Sequence, residues 1–432
     1  MTVILSNDDD LKYPLPITHY PLPMKRRKFL QEIGLISGGT LLAIGSHGWV
    51  ARSATKSNKP KRLIVVFLRG AVDGLNVVIP HWESAYYDSR SLIAIAPPNE
   101  ANGALDLDGR FGLHPALNTL MPLWKEGNLA FVHASGSQNS TRSHFDAQDY
   151  MESGTPGIKT TQDGWMNRLL GLSPSSSPIQ AVNVGATMPR ILAGNRAVAT
   201  LPVGKDAERR SPLDRPMVSE AFNQLYSGND SLSKAYQEGR AARQQLMADL
   251  DKEMIEANNG ALSTAGFARD TQQLARLMVK DSSVQLAFLA LGGWDTHINQ
   301  GGTTGQLARN LKALGEGLAA LKQGLVSVYS DTAIVVMSEF GRTVRENGNG
   351  GTDHGHGNVM WLMGGPIKGG KVYGEWPGLS ESQLFEGRDL AVTTDFRDVI
   401  SSVLTKHLQL DAAKIQQIFP KYSPKQLLGV LG

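Results

Sequence analysis

Three short segments of the chain carry side chains able to hold a metal ion: Asp295-Thr296-His297, Ser338-Glu339-Phe340-Gly341-Arg342 and Asp353-His354-Gly355-His356-Gly357. They place three carboxylates and three imidazoles beside glycines in the second half of the chain. Oxygen and nitrogen donors of this kind suit Zn, Mn or Fe. In extended backbone, residues i and i+2 point the same way, so Asp295 and His297 can face one ion. The competing reading of that pair is a surface turn with an Asp cap and an exposed His. Glu339 sits at an expected strand mouth, as a ligand or as the partner of the Arg342 guanidinium. His354 and His356 lie in a glycine-rich run, 348–357, that can be neither helix nor ordinary strand. Two imidazoles there have little core to pack into, which favours a ligand or catalytic role, with Asp353 orienting one ring.

Two further candidates lie earlier. Asp73, in Arg69-Gly70-Ala71-Val72-Asp73-Gly74, stands at the end of the first expected strand, as a ligand or as an Asx turn. Ser143, in Thr141-Arg142-Ser143-His144-Phe145-Asp146, opens an expected helix. Its hydroxyl is read either as a nucleophile activated by a metal and the helix dipole, or as a plain N-cap.

The elements that must position these residues alternate between strand and helix. Arg62 to Leu68 (RLIVVFL) is a continuous apolar run, as expected of a central parallel strand buried on both faces. Further strands are expected over Asn128–Ala134, Val284–Leu291, Thr332–Met337 and Asn358–Met363. Leu75 to Pro80 reads as extended. Helices are expected over Pro115–Lys125, Ser143–Glu152, Thr304–Gln323 and Asp395–Lys406. Carboxylates at the C-terminal ends of successive strands match the general rule for ligand sites in open α/β sheets. The stretch 203–281 differs, being rich in Gln, Ala and charged residues without a strong strand. It reads as a helical insertion or cap, with one long helix over Ser231–Met254, or as an ordinary packing pair.

The chain has 432 residues, 41% hydrophobic and 19% charged, with a formal net charge of +3. That composition is globular. The balance is too small, and the aromatics too few, for nucleic-acid binding. The N-terminal Lys25-Arg26-Arg27-Lys28-Phe29-Leu30-Gln31 resembles a twin-arginine export motif. The apolar stretch from Ile33 to Val50 follows, then the small-residue pattern Ala51-Arg52-Ser53-Ala54. At about 18 residues with several Gly and Ser, the stretch is at the short end for a spanning helix. Residues 1–54 are therefore expected to be leader and cleaved signal, and 55–432 the mature domain, with no stable membrane span after cleavage. The expected location is periplasmic or extracellular, with the twin-arginine translocase as partner during export. The chain contains no cysteine, so no thiolate can serve as ligand or nucleophile.

In order, these motifs resemble the alkaline-phosphatase-like superfamily of phosphatases, sulfatases and phosphomutases. More narrowly, the chain is similar to a twin-arginine-exported bacterial family in that superfamily, domain of unknown function 1501. The resemblance rests on residues 68–76, 142–146, 293–297, 338–342 and 353–357, and covers nearly everything from Arg62 onward. It implies a three-layer, doubly wound α/β fold with a mostly parallel sheet. It also implies one metal on Asp295, His297 and His356 or His354, and a second on Asp73, Glu339 and the Ser143 hydroxyl. Ser143 would be the nucleophile, Arg342 or Arg142 would clamp the anion, and His354 would be a catalytic group when His356 is the ligand. The superfamily usually has Asp-His where this chain has Glu339-Phe340, so one imidazole is absent there and the count is one or two divalent ions (Zn, Mn, Ca or Fe). The implied activity is hydrolysis of a phosphate or sulfate ester, on an anionic small molecule or polysaccharide. The rival expectation is a metal-stabilised cell-envelope protein that binds polysaccharide or a protein partner without hydrolysis.

Overall fold

The computed structural model describes residues 59–172, 180–185, 187–201, 258–425 and 428–432. The expected export signal and its cleavage position lie outside the described residues. So does most of the expected insertion, including the helix over Ser231–Met254. One compact unit spans Lys59–Gly432.

The first strand, β1 (Arg62–Leu68), is buried at every position. A small sheet of β2 (Val78–Pro80), β3 (Leu105–Asp106) and β4 (Phe111–Leu113) follows. Next come β5 (Leu129–Gly136), β6 (Ala181–Val184), β7 (Ala199–Leu201), β8 (Leu286–Leu291), β9 (Thr332–Ser338), β10 (Asn358–Gly364), β11 (Lys371–Tyr373) and β12 (Thr394–Asp395). The main sheet runs β11-β5-β10-β9-β1-β8-β6-β7, with β12 also paired to β5. Its pairings are parallel except for β10, which is antiparallel to both β5 and β9. β1 is flanked on both sides, Val65 pairing with Phe288 and with Val335.

The alternation along β1 divides the core in two. Ile64, Val66 and Leu68 join one apolar layer, with Phe267, Leu274, Leu311 and Leu318 from the helices Phe267–Lys280 and Gln306–Gly324. Leu63, Val65 and Phe67 join the other, with Phe396, Val399 and Val403 from the helix Phe396–Lys406 and Ile415 from Ala412–Ile418. Helices on both faces of a mostly parallel sheet make a three-layer α/β fold. The continuous apolar runs were readable because a strand buried on both faces needs no polar alternation.

Two expected segments differ. Leu75–Pro80 is a short helix, Gly74–Val77, that then enters β2. Pro115–Lys125 is a 3₁₀ turn, Pro115–Leu120, followed by one α turn, Met121–Lys125. Pro122 lacks an N–H, so it sits best where a helix begins, at the start of that second turn. Among the described residues, no helix is long and apolar enough to cross a membrane.

The antiparallel direction of β10 matters for the site. β9 ends at the C-terminal edge of the sheet, and β10 begins at that same edge, running back. The connection 339–357, with both histidines of the glycine-rich run, therefore stays above the strand ends where Asp73 and Asp295 emerge.

Candidate metal centre

Four loops meet at this edge. The turn after β1 carries Gly70, whose φ is +113°. A Cβ there would lie 2.5 Å from the backbone nitrogen of Asp295, so only glycine lets the β1 and β8 turns touch. The β8 turn supplies Asp295 and His297. The β5 turn leads through Ser137–Arg142 to the helix His144–Ser153, whose first residue is His144. The β9–β10 connection supplies Glu339, Asp353 and His354.

Three imidazoles converge on one carboxylate. The Nε2 atoms of His297, His354 and His144 lie 3.0, 3.5 and 3.6 Å from Asp295 Oδ1. His354 Nε2 is 2.9 Å from His144 Nε2 and 2.9 Å from His297 Nε2. The Arg342 guanidinium also donates to Asp295 Oδ1. The other oxygen, Oδ2, is buried with no hydrogen-bond partner among the described residues, a state that normally costs a buried polar atom dearly.

The opposite ring nitrogens decide what this cluster wants. His144 Nδ1 faces Glu339 Oε1 at 2.8 Å, His297 Nδ1 faces Asp353 Oδ1 at 3.2 Å, and His354 Nδ1 faces the Arg142 carbonyl at 2.9 Å. Each of these partners is an acceptor, so each Nδ1 must carry the hydrogen. In the neutral rings all three Nε2 atoms are then bare lone pairs, aimed at one another and at a carboxylate. Such an arrangement is repulsive unless a cation sits among them. Outer acceptors that fix the tautomer are the usual support of metal-bound histidine. His144, Asp295 and His354 place ligand atoms within 4.8 Å of one another, and His297 completes a set of three nitrogens and one carboxylate. The orphaned Asp295 Oδ2 and the donor chemistry both fit a divalent metal.

Proton equilibria in the metal-free protein point the same way. Burial opposes a charge on His144, but Asp295 and Glu339 outweigh it and lift the ring to about 9. Its proton then sits in the place of the cation. His297 is raised, mainly by Asp295, against its burial. His354 is lowered by burial, with Arg342 and His144 adding to the effect. Despite burial, Asp295 is held far below the usual carboxylate range by the three imidazoles and Arg342. Glu339 is likewise brought to about 2 by His144 and Gln148, against its burial.

The candidate residues are distributed as follows. Asp295, His297 and His354 are brought together. Glu339 stands one step out, accepting from His144, Gly70 N at 2.8 Å and Gln148 at 3.0 Å. Asp73 is turned away: its two oxygens take Arg90 at 2.6 and 3.0 Å, and Gln300 donates to Oδ2 at 2.6 Å. Arg342 is buried and donates to the carbonyls of Ala71, Thr352, Gly70 and Trp294 as well as to Asp295. His356 stacks on Phe385, ring centres 4.3 Å apart, and among the described residues no hydrogen bond or ion pair joins its ring to the cluster. Ser143 is the exposed N-cap, its Oγ accepting from Asp146 N at 3.4 Å. Arg142 is held by Asp389 and Glu386.

Sequence reasoning missed His144 as a candidate ligand. The signal was present in Ser143-His144, a histidine at a helix start after a buried strand, beside a hydroxyl with the same claim to the site. Asn347 was missed too. It donates to Asp353 at 3.0 Å and to the His297 carbonyl at 2.9 Å, so it holds both the ligand and the acceptor behind it.

Residues 60–419 match the family model DUF1501, "Protein of unknown function". No curated protein matches the sequence. Among solved structures, the chain is similar to the C-terminal periplasmic domain of EcEptC from Escherichia coli in complex with Zn, at 10% identity over 72% of this chain and 74% of that one, TM-score 0.37. It is similar to a protein in the alkaline phosphatase superfamily from Vibrio parahaemolyticus, at 11% identity over 73% and 63%, TM-score 0.35. A third likeness is to the lipoteichoic acid synthase LtaP from Listeria monocytogenes, at 8% identity over 81% and 72%, TM-score 0.32.

Proposed function

We propose that this chain, which belongs to the DUF1501 family of proteins of unknown function, is an exported hydrolase of phosphate or sulfate esters that works at a single divalent metal. The observation that carries the reading is the convergence of His144, His297 and His354 Nε2 on Asp295. These four residues would hold the metal. Three imidazoles and a carboxylate favour Zn, Mn or Fe over Ca, which prefers oxygen. A second ion is disfavoured because Arg90 already neutralises Asp73.

Once bound, the ion supplies Lewis-acid stabilisation of charge on the ester oxygens. The chain's own residues do the rest. Glu339, Asp353 and the Arg142 carbonyl keep each imidazole turned with Nε2 inward. Arg342 anchors Asp295 and ties the β1, β8 and β9 turns together through their carbonyls. The N-terminus of the helix His144–Ser153 offers free N–H groups and a positive dipole end for an anionic substrate. Ser143, exposed and next in sequence to His144, is assigned the attacking hydroxyl. Its oxygen would bond to phosphorus or sulfur as the ester oxygen departs as the alcohol, the serine proton passing to solvent and the leaving oxygen taking one up. Water would then release the acid from the serine. The side chains of His297 and His354 keep 17% and 13% of their surface in solvent, which supports access from outside. Export by the twin-arginine route rests on residues 25–31.

A second reading has one observation in its favour. Four protein ligands make a closed set, as in structural metal sites, whereas catalytic sites usually leave a position open. In that case the ion stabilises a cell-envelope protein that binds polysaccharide or a partner. Elemental analysis of purified wild type beside Asp295→Asn and His356→Ala separates these outcomes. One equivalent of metal in wild type and His356→Ala, lost in Asp295→Asn, is expected. Hydrolysis of a p-nitrophenyl phosphate or sulfate ester by the loaded protein, abolished in Ser143→Ala with metal retained, supports the hydrolase. Metal without turnover on any ester leaves the binding protein, and a metal-free wild type sinks both readings.

A further inference from the structure

His354 is held from both ends by residues that share one partner. Its ring Nδ1 donates to the Arg142 carbonyl at 2.9 Å, and its own carbonyl accepts from Arg388 Nη2 at 2.7 Å. Both arginines reach the same carboxylate. Asp389 Oδ2 takes Arg142 Nη2 at 2.7 Å and Nε at 3.2 Å, and Arg388 Nη2 at 3.1 Å, while Oδ1 takes Arg388 Nε at 3.0 Å. Asp389 is fully buried, at 0% exposure. It closes a tight hairpin with Phe385 through backbone bonds of 2.8 and 3.0 Å. The hairpin packs on the metal loop by the stacking of His356 on Phe385, and Val344 N bonds the Arg388 carbonyl at 3.2 Å.

We infer that Asp389 is a positioning residue for the metal centre, fixing the ring of His354 through Arg142 and Arg388. The inference rests on the single-metal reading above. Its physical basis is that a buried carboxylate bridging two guanidinium groups is a strong, directional tie. Without that charge, Arg142 keeps only the exposed Glu386, and the 141–143 backbone loses its one buried side-chain anchor, keeping Asn139 on Thr141 N. The acceptor for His354 Nδ1 then shifts. A neutral imidazole whose Nδ1 acceptor is displaced turns its ring or moves its hydrogen to Nε2, and in either state it cannot ligate. His356 also finds a role here, as part of the hairpin's seat rather than as a ligand.

The test is zinc titration by calorimetry of the whole mature protein, as wild type, Asp389→Asn, Arg388→Gln and Glu386→Gln, with cobalt-substituted samples for the visible absorption bands. Asp389→Asn is expected to bind more weakly by about 10-fold, the low end of the cost of losing a direct outer partner of a metal-bound histidine, because it acts through Arg142. Its cobalt bands should also shift, which a merely stabilising ion pair does not require. Arg388→Gln should weaken binding by a smaller factor, and Glu386→Gln, which removes only the exposed partner of Arg142, should weaken it least. Wild-type affinity and bands in Asp389→Asn overturn the inference while leaving the metal centre standing. If Asp389→Asn does not fold, Arg388→Gln decides: weaker binding supports the inference and unchanged binding overturns it. A wild type that binds no metal removes the reading on which the inference rests.

Discussion

Replacing Glu339 by Gln removes a charge with almost no change of shape. One oxygen would still accept from Gly70, His144 and Gln148. The new amide would replace Oε2, which now lies 2.9 Å from the Ser338 hydroxyl; that hydroxyl would keep its hydrogen on the Leu68 carbonyl at 2.6 Å and accept from the amide. In the metal-free protein the folded His144 pKa is about 9, against 6.5 when unperturbed. A folded pKa above the unfolded one stabilises fully below pH 6.5, and the contribution is lost as the pH rises through 9. The difference is roughly 2.5 units, or about 3 kcal/mol at 1.36 kcal/mol per unit. The His144 side chain is 5% exposed, so solvent screens little of it. His297 adds in the same direction, whereas lowered groups such as His354 and His133 act below their ordinary range, outside this window. Glu339 is one of two carboxylates facing His144, so Glu339→Gln should remove on the order of half the effect. Urea unfolding of chelator-treated protein between pH 6.5 and 9 measures it: wild type should lose about 3 kcal/mol and the variant about half that. Metal affinity should fall roughly 10- to 100-fold in the variant, and wild-type affinity should rise with pH up to about 9, since binding must displace the His144 proton. Wild-type stability that stays flat across the window, or a variant indistinguishable from wild type, would refute the reasoning.

Three other outcomes are expected. Asp73→Ala leaves the fully buried Arg90 without its carboxylate; denaturant unfolding should show a loss of about 3–5 kcal/mol, while elemental analysis finds the metal content of wild type. A content that falls with Asp73 would argue that this carboxylate is a ligand after all. Gly70→Ala forces a side chain into a +113° φ and against Asp295 N; it should cost about 1–3 kcal/mol and weaken metal binding, both readable in one thermal-shift series with and without zinc. Ser143→Ala should cost about 1 kcal/mol as a lost N-cap and keep its metal, and turnover that persists in it would exclude the hydroxyl as nucleophile.

The sequence alone determined the β/α rhythm, the central position of β1 and the edge of the sheet where the chemistry gathers. The reason is local. Strands buried on both faces must be apolar throughout, and glycine-flanked turns at their ends leave a readable mark. Asp295 with His297 was legible because two residues apart in extended backbone face one way. Only the tertiary structure decided the rest of the site. In the other D-x-H-like run, Asp353-His354-Gly355-His356, the two imidazoles part company: His354 turns to the cluster and His356 to Phe385, a partner 29 residues later in the chain that no spacing rule could supply. His144 joined the cluster because Glu339, 195 residues away, waits behind its ring. Asp73 left it because Arg90 arrives as a permanent cation at the same strand end. Which side chain faces a metal is set by what stands behind it, and those partners come from other strands, brought together when the sheet is built and β10 turns the last loop back over its edge.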